Sequence, residues 1–95
     1  MKITVNTVAQ AQFLTNLDRV TRRLNKELEI VARDAQNYLD AIARGECSHF
    51  TPNSSNVEEL AAQRNALLEL APVMSLEEEW LDAASTGSDV FYDIA

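Results

Sequence analysis

A chain of 95 residues with 46% hydrophobic content suffices for one small domain with a modest core, and is too apolar for wholesale disorder. Its single cysteine, Cys47, excludes an internal disulfide, and the net charge of −7 argues against a generally cationic, nucleic-acid-coating protein. No apolar run reaches the roughly 20 residues of a membrane span, and the opening Met-Lys-Ile-Thr-Val-Asn lacks the apolar core of a secretion signal, so the expected location is the cytoplasm.

In chain order, residues 1–6 alternate apolar Ile3 and Val5 with polar neighbours. This could be a short strand, but no second strand pattern is visible to pair with it, so an extended N-terminal arm is the preferred reading. Residues 7–44 read as one long amphipathic helix. Leu14, Thr21, Leu28, Ala35 and Ile42 fall seven apart, as do Leu17, Leu24, Val31 and Tyr38. Steps of three and four of this kind keep one apolar line on one helix face, and Phe13, Val20, Ala32, Leu39 and Ala41 widen it. Thr7 followed by Gln10 has capping-box spacing, and Arg44-Gly45 is a stop signal. At 1.5 Å per residue such a helix is roughly 55 Å long, against a radius of gyration of about 13 Å for a compact domain of about 100 residues. If this seam is buried throughout, Leu24→Asp or Leu28→Asp costs several kcal/mol, because a lone charge would enter the core.

Residues 45–55 are a loop by composition, with Phe50 the residue suited to tuck inward. A second helix, 56–71, follows a cap at Ser55 or Asn56 and turns Leu60, Ala61, Leu67, Leu68 and Ala71 inward before Pro72 ends it. Ser75 and Glu78 again have capping-box spacing and open a third helix, 75–85, with Leu76, Trp80, Leu81 and Ala84 inward. Residues 88–95 place Val90, Phe91 and Ile94 at helical spacing and read as a short final turn or tail. The expected fold is therefore all-α: a long N-terminal amphipathic helix with two or three shorter helices packed back along it, a small bundle in a single domain. The shorter helices are too short to cover the long one, which leaves part of the seam for a second copy of the chain.

Charge is unevenly divided. Residues 1–45 carry seven Lys/Arg against five acids, while residues 46–95 carry ten acids and only Arg64 as a base. Arg19, Arg22, Arg23 and Lys26 cluster on the helix face opposite the seam. They form a candidate binding face for phosphates or an acidic partner; a solvated face, or one neutralised by the acidic half of the same chain, is the other reading. Glu77, Glu78, Glu79, Asp82, Asp89 and Asp93 form a candidate acidic face for a basic partner, although the three glutamates also suit a helix N-terminus for dipole reasons. Leu14, Leu17, Leu24, Leu28, Val31, Tyr38 and Ile42 are the candidate self-association or core seam.

Catalytic and metal signatures are lacking. Cys47 and His49 supply two ligands at best, where zinc takes three or four. The two glycines, Gly45 and Gly87, form no phosphate-cradling loop. No catalytic residue, metal or cofactor is expected. A helix-turn-helix reading of residues 71–76 fails because the recognition helix would open Leu76-Glu77-Glu78-Glu79, which phosphates repel. Small size, acidity and the lack of a catalytic signature are shared by many accessory proteins, including inhibitors that phages and mobile elements encode against host machinery. That likeness is one of composition and carries no motif. It suggests a non-enzymatic module, acting in the host cytoplasm if phage-encoded, that dimerises and binds a larger protein complex, nucleic-acid-handling machinery included, to inhibit or modulate it. The alternatives are direct phosphate or nucleic-acid contact through the basic face, and a structural subunit of a larger assembly.

Overall fold

The computed structural model describes residues 2–46 and 55–95. Most of the expected loop, residues 47–54, with Cys47, His49 and the inward placing of Phe50, lies outside the described residues. The first strand, β1, spans Lys2–Val5, and the long helix α1 spans Val8–Ala43. Thr7 caps α1: the Gln10 backbone N–H donates to Thr7 Oγ1 at 3.1 Å, and Gln10 Oε1 accepts from the backbone N–H of Asn6 and Thr7. At the far end Gly45 takes a φ of +77°, its N–H donating to the Ile42 carbonyl and that of Glu46 to the Ala41 carbonyl. This paired closure needs a left-handed residue after the cap, which is the physical reason for glycine there.

Helix α2 spans Ser55–Leu70 and passes into a single 3-10 turn, Ala71–Met74, with Pro72 in its opening positions. Helix α3 spans Glu78–Ser85. The spacing of Ser75 and Glu78 had placed a cap at Ser75; instead Ser75 adopts a left-handed φ of +54° and Glu77 stands at the cap without a capping side-chain bond. The chain uses Ser75 to reverse direction. Its carbonyl and that of Met74 are held by the Gln10 side chain, whose Nε2 donates to them at 3.2 and 3.1 Å.

The C-terminal segment is neither a helical turn nor a tail. Phe91–Ile94 forms a second strand, β2, parallel to β1, with Lys2 opposite Phe91 and Val5 opposite Ile94. The Ala95 N–H extends the pairing to the Val5 carbonyl at 2.8 Å. Two expectations are thereby corrected: residues 1–6 are not a free arm, and the fold is mostly helical with a small sheet, not all-α. Pairing overrides the helical spacing because alternation buries Val90 and Tyr92 and leaves Phe91 outside.

The core sits at one end of α1. Leu14 and Leu17 are fully buried and, with Phe13, meet Trp80 and Ala84 of α3, Val5 of β1 and Tyr92 of β2 in one apolar cluster. Helix α2 starts beside Arg23 and Glu27, where Asn56, Glu59 and Leu60 share a cleft with them. It ends beside Asn16 and Val20, which face Leu67 and Leu70. The described helices therefore reach along α1 only to about Glu27. Beyond that level Leu28, Leu39 and Ile42 are 46%, 57% and 49% exposed and Val31, Ala35 and Tyr38 are half-buried, whereas Ala41 near the helix end is buried. The molecule is accordingly long, 60 × 24 × 16 Å, with a radius of gyration of 17.7 Å. The seam is thus two surfaces in one line, and Leu28→Asp does not bring a charge into the core of a single chain.

Leu14→Ala or Leu17→Ala is expected to lower the unfolding free energy by about 2–5 kcal/mol. Equilibrium urea unfolding checks this, and a loss well under 1 kcal/mol would show that the first half of α1 is not the core.

Candidate functional site

The four cations of the basic face do not act as one free surface. Arg22 turns toward the C-terminal segment, its Nε donating to Asp18 Oδ2 at 3.0 Å and its Nη1 lying 3.4 Å from Asp89 Oδ1. Arg19 donates to its helix neighbour Asn16 at 2.9 Å. Arg23 lines the cleft it shares with Glu27 and Glu59, and Lys26 is exposed. What stays outward is a patch of Arg19, Arg23 and Lys26 with carboxylates at its edge.

The six acids separate in the same way. Glu77, Glu78, Glu79 and Asp82 are exposed at the head of α3. Asp89 and Asp93 are structural. Asp89 sits at a φ of +56°, where its carboxylate meets Arg22 and its N–H donates to Asp18 Oδ1 at 3.1 Å. Asp93 joins Lys2 of the neighbouring strand at 3.0 Å; that hydrogen bond, the Ile94 N–H and the lysine charge hold its carboxyl below the ordinary range.

Asp18 was not among the candidate site residues. It is 2% exposed, with one carboxylate oxygen on Arg22 and the other on the Asp89 backbone. The signal that could have revealed it is its position beside Leu14 and Leu17 on the buried side of α1. Arg64, the lone base of the acidic half, was passed over too. Its Nε donates to Thr21 Oγ1 at 3.2 Å and its Nη2 to the Ser85 carbonyl at 2.8 Å, tying α2 to α1 and to the end of α3. Gly87, at a φ of +70°, lies so close to α1 that a Cβ there would stand 3.0 Å from Arg22 Cγ and 3.3 Å from the Arg22 backbone nitrogen.

Tyr92 completes this corner. Its hydroxyl is buried with no hydrogen-bond partner among the described residues. Burial, and secondarily the Asp18 charge, push its pKa up to about 12. No group of three His, Cys, Asp or Glu side chains among the described residues could hold a metal ion, and none of the described helices is long and apolar enough to cross a membrane.

On the outer half of α1 the heptad line runs on past the last residue that α2 covers, with Leu28, Leu39 and Ile42 about half exposed and Ala41 buried. It is an apolar strip on a helix with polar flanks. No protein-family model matches the chain, and no match was found among curated proteins or solved structures.

Because the folded state favours neutral Tyr92, its contribution to stability is present below the ordinary tyrosine pKa of about 10 and is lost as pH rises through about 12. In Tyr38→Phe, which leaves Tyr92 as the single tyrosine, tyrosinate absorbance should appear near pH 12 or together with unfolding. A titration near pH 10 in protein that stays folded would contradict the buried placement.

Proposed function

We propose that this protein is a non-enzymatic interaction module. It associates with itself through the outer half of α1 and docks on a larger protein complex, whose activity it inhibits or modulates. The observation that carries this reading is the continuation of the heptad seam beyond the chain's own core, with Leu28, Leu39 and Ile42 about half exposed. An apolar face at fixed helical spacing, on an otherwise charged molecule, is the physical signature of a helix that binds another helix. The acidic head of α3, with Glu77, Glu78, Glu79 and Asp82 outward, supplies a second surface suited to a basic protein groove.

Direct phosphate or nucleic-acid contact is less well supported. Of the four clustered cations Arg22 is taken up by Asp18 and Asp89, and acids border those that remain. A role as a structural subunit shares the open seam, and differs in that the isolated chain would aggregate instead of forming a defined oligomer.

Light scattering across a concentration series should show a reversible dimer. Leu28→Asp combined with Ile42→Asp should give a monomer that keeps its helical circular dichroism and a cooperative melt. A wild-type chain that stays monomeric at the highest concentration would overturn self-association. Retention on DNA or RNA at low salt, lost in Arg19→Ala with Arg23→Ala, would favour phosphate contact instead.

A further inference from the structure

Helices α1 and α2 run antiparallel, α2 starting beside Arg23 and Glu27 and ending beside Asn16. The pair has two sides. On one, Arg64 of α2 joins Thr21 of α1 to the Ser85 carbonyl at the end of α3. On the other, Asn16, Arg19 and Val20 face Ala66, Leu67 and Leu70 across an open trough of about 350 Å³. Steps of three and four on both helices make it the furrow between two helix edges. Its floor is apolar: Val20 and Leu67 are half-buried, Ala66 is exposed and Leu70 is 54% exposed. Sites for small molecules enclose most of their ligand, which an open furrow does not do. A furrow between two helices is the shape that a third helix fills, by laying its own ridge of side chains along it.

The charge beside the floor says what flanks that ridge. Arg19 is exposed at the α1 rim, its guanidinium donates to Asn16 Oδ1, and no carboxylate among the described residues pairs with it. Farther along, Gln63 leads from the trough into the next cleft, where Arg23 lies with Glu27 and Glu59, so positive charge there is balanced within the chain. Arg19 is left without a counter-charge beside an apolar floor. Resting on the reading that this chain docks on another protein, we infer that the α1–α2 trough receives an amphipathic helix of that partner. Its apolar stripe lies on Val20, Leu67 and Leu70, and an aspartate or glutamate flanks the stripe opposite Arg19. A free phosphate would use Arg19 and leave the floor bare. A helix without an acid would cover the floor and leave the guanidinium unmatched. An acid-flanked helix meets both, and the ion pair at the rim fixes which way round it lies. The trough is distinct from the outer half of α1 and needs no second copy of the chain.

The probe is a phage-displayed library of helical peptides of about 15 residues, the length at which an isolated helix begins to hold in water, with a fixed leucine stripe and randomised flanks. Selection on the wild-type chain should enrich aspartate and glutamate in the flanks. The leading peptide should bind Leu70→Asp about tenfold or more weakly, and Arg19→Glu about threefold to tenfold more weakly. Selection on Arg19→Glu should enrich lysine and arginine instead. Both residues are exposed, so each variant should keep the helical circular dichroism and melt of the wild type. Peptides that bind Leu70→Asp as well as wild type lie elsewhere on the chain; they would overturn the trough and leave docking on a partner standing. Enrichment with no preference for acidic flanks would overturn the acidic partner. Loss of self-association in Leu70→Asp would assign the trough to a second copy and overturn the inference as well. Recovery of no binding peptide would remove both the inference and the docking reading beneath it.

Discussion

Everything in this molecule follows from one mismatch of lengths. A helix of 36 residues carries an apolar face along its whole extent, and the described helices that return along it are 16 and 8 residues long. Apolar surface is removed from water only where something covers it. The core therefore condenses at one end, around Leu14, Leu17, Phe13 and Trp80, and the rest of the seam projects from it. A gradient of burial along a continuous heptad pattern is the physical content of the fold, and the elongated 60 Å shape is its visible result.

The globular end is closed by polar ties as much as by apolar packing. Gln10 fixes the reversal between α2 and α3, Arg64 joins three elements through Thr21 and the Ser85 carbonyl, and Asp18 receives the backbone of the C-terminal segment. A buried carboxylate is tolerated only where its oxygens are satisfied, and removing a partner from such a group costs more than the bond itself contributes. Asp18 therefore fixes where β2 begins, and β2 in turn gives β1 its only sheet partner among the described residues. Two four-residue strands would not hold together alone in water; here Val5 and Tyr92 lie in the core beneath them.

The sequence made the helical part plain and hid the rest for identifiable reasons. Thr7 with Gln10 and Arg44 with Gly45 mark the limits of α1 because both signals are local: each uses residues within one turn of the helix end. The alternation of Ile3 and Val5 hinted at a strand, but its partner was illegible because the pairing joins opposite ends of the chain, and because the helical spacing of Val90, Phe91 and Ile94 is also compatible with a strand of alternate burial. Ser75 misled because capping-box spacing says nothing about whether the chain must reverse at that serine. The charged clusters misled in a similar way. A count of cations cannot show that Arg22 spends its guanidinium on Asp18 and Asp89, nor that Asp89 and Asp93 fasten a strand and are not part of one acidic face.

The self-association proposed above requires that the apolar line past Glu27, at Leu28, Leu39 and Ile42, be covered by another molecule. Backbone amide hydrogen exchange, followed as a function of protein concentration, tests this most directly. Amides around Leu14 and Leu17 should be strongly protected at every concentration, while those of residues 28–43 should gain protection steeply as concentration rises and lose it on dilution. Strong protection of residues 28–43 that does not change with concentration would contradict it, because the chain would then shelter that half of the helix by itself.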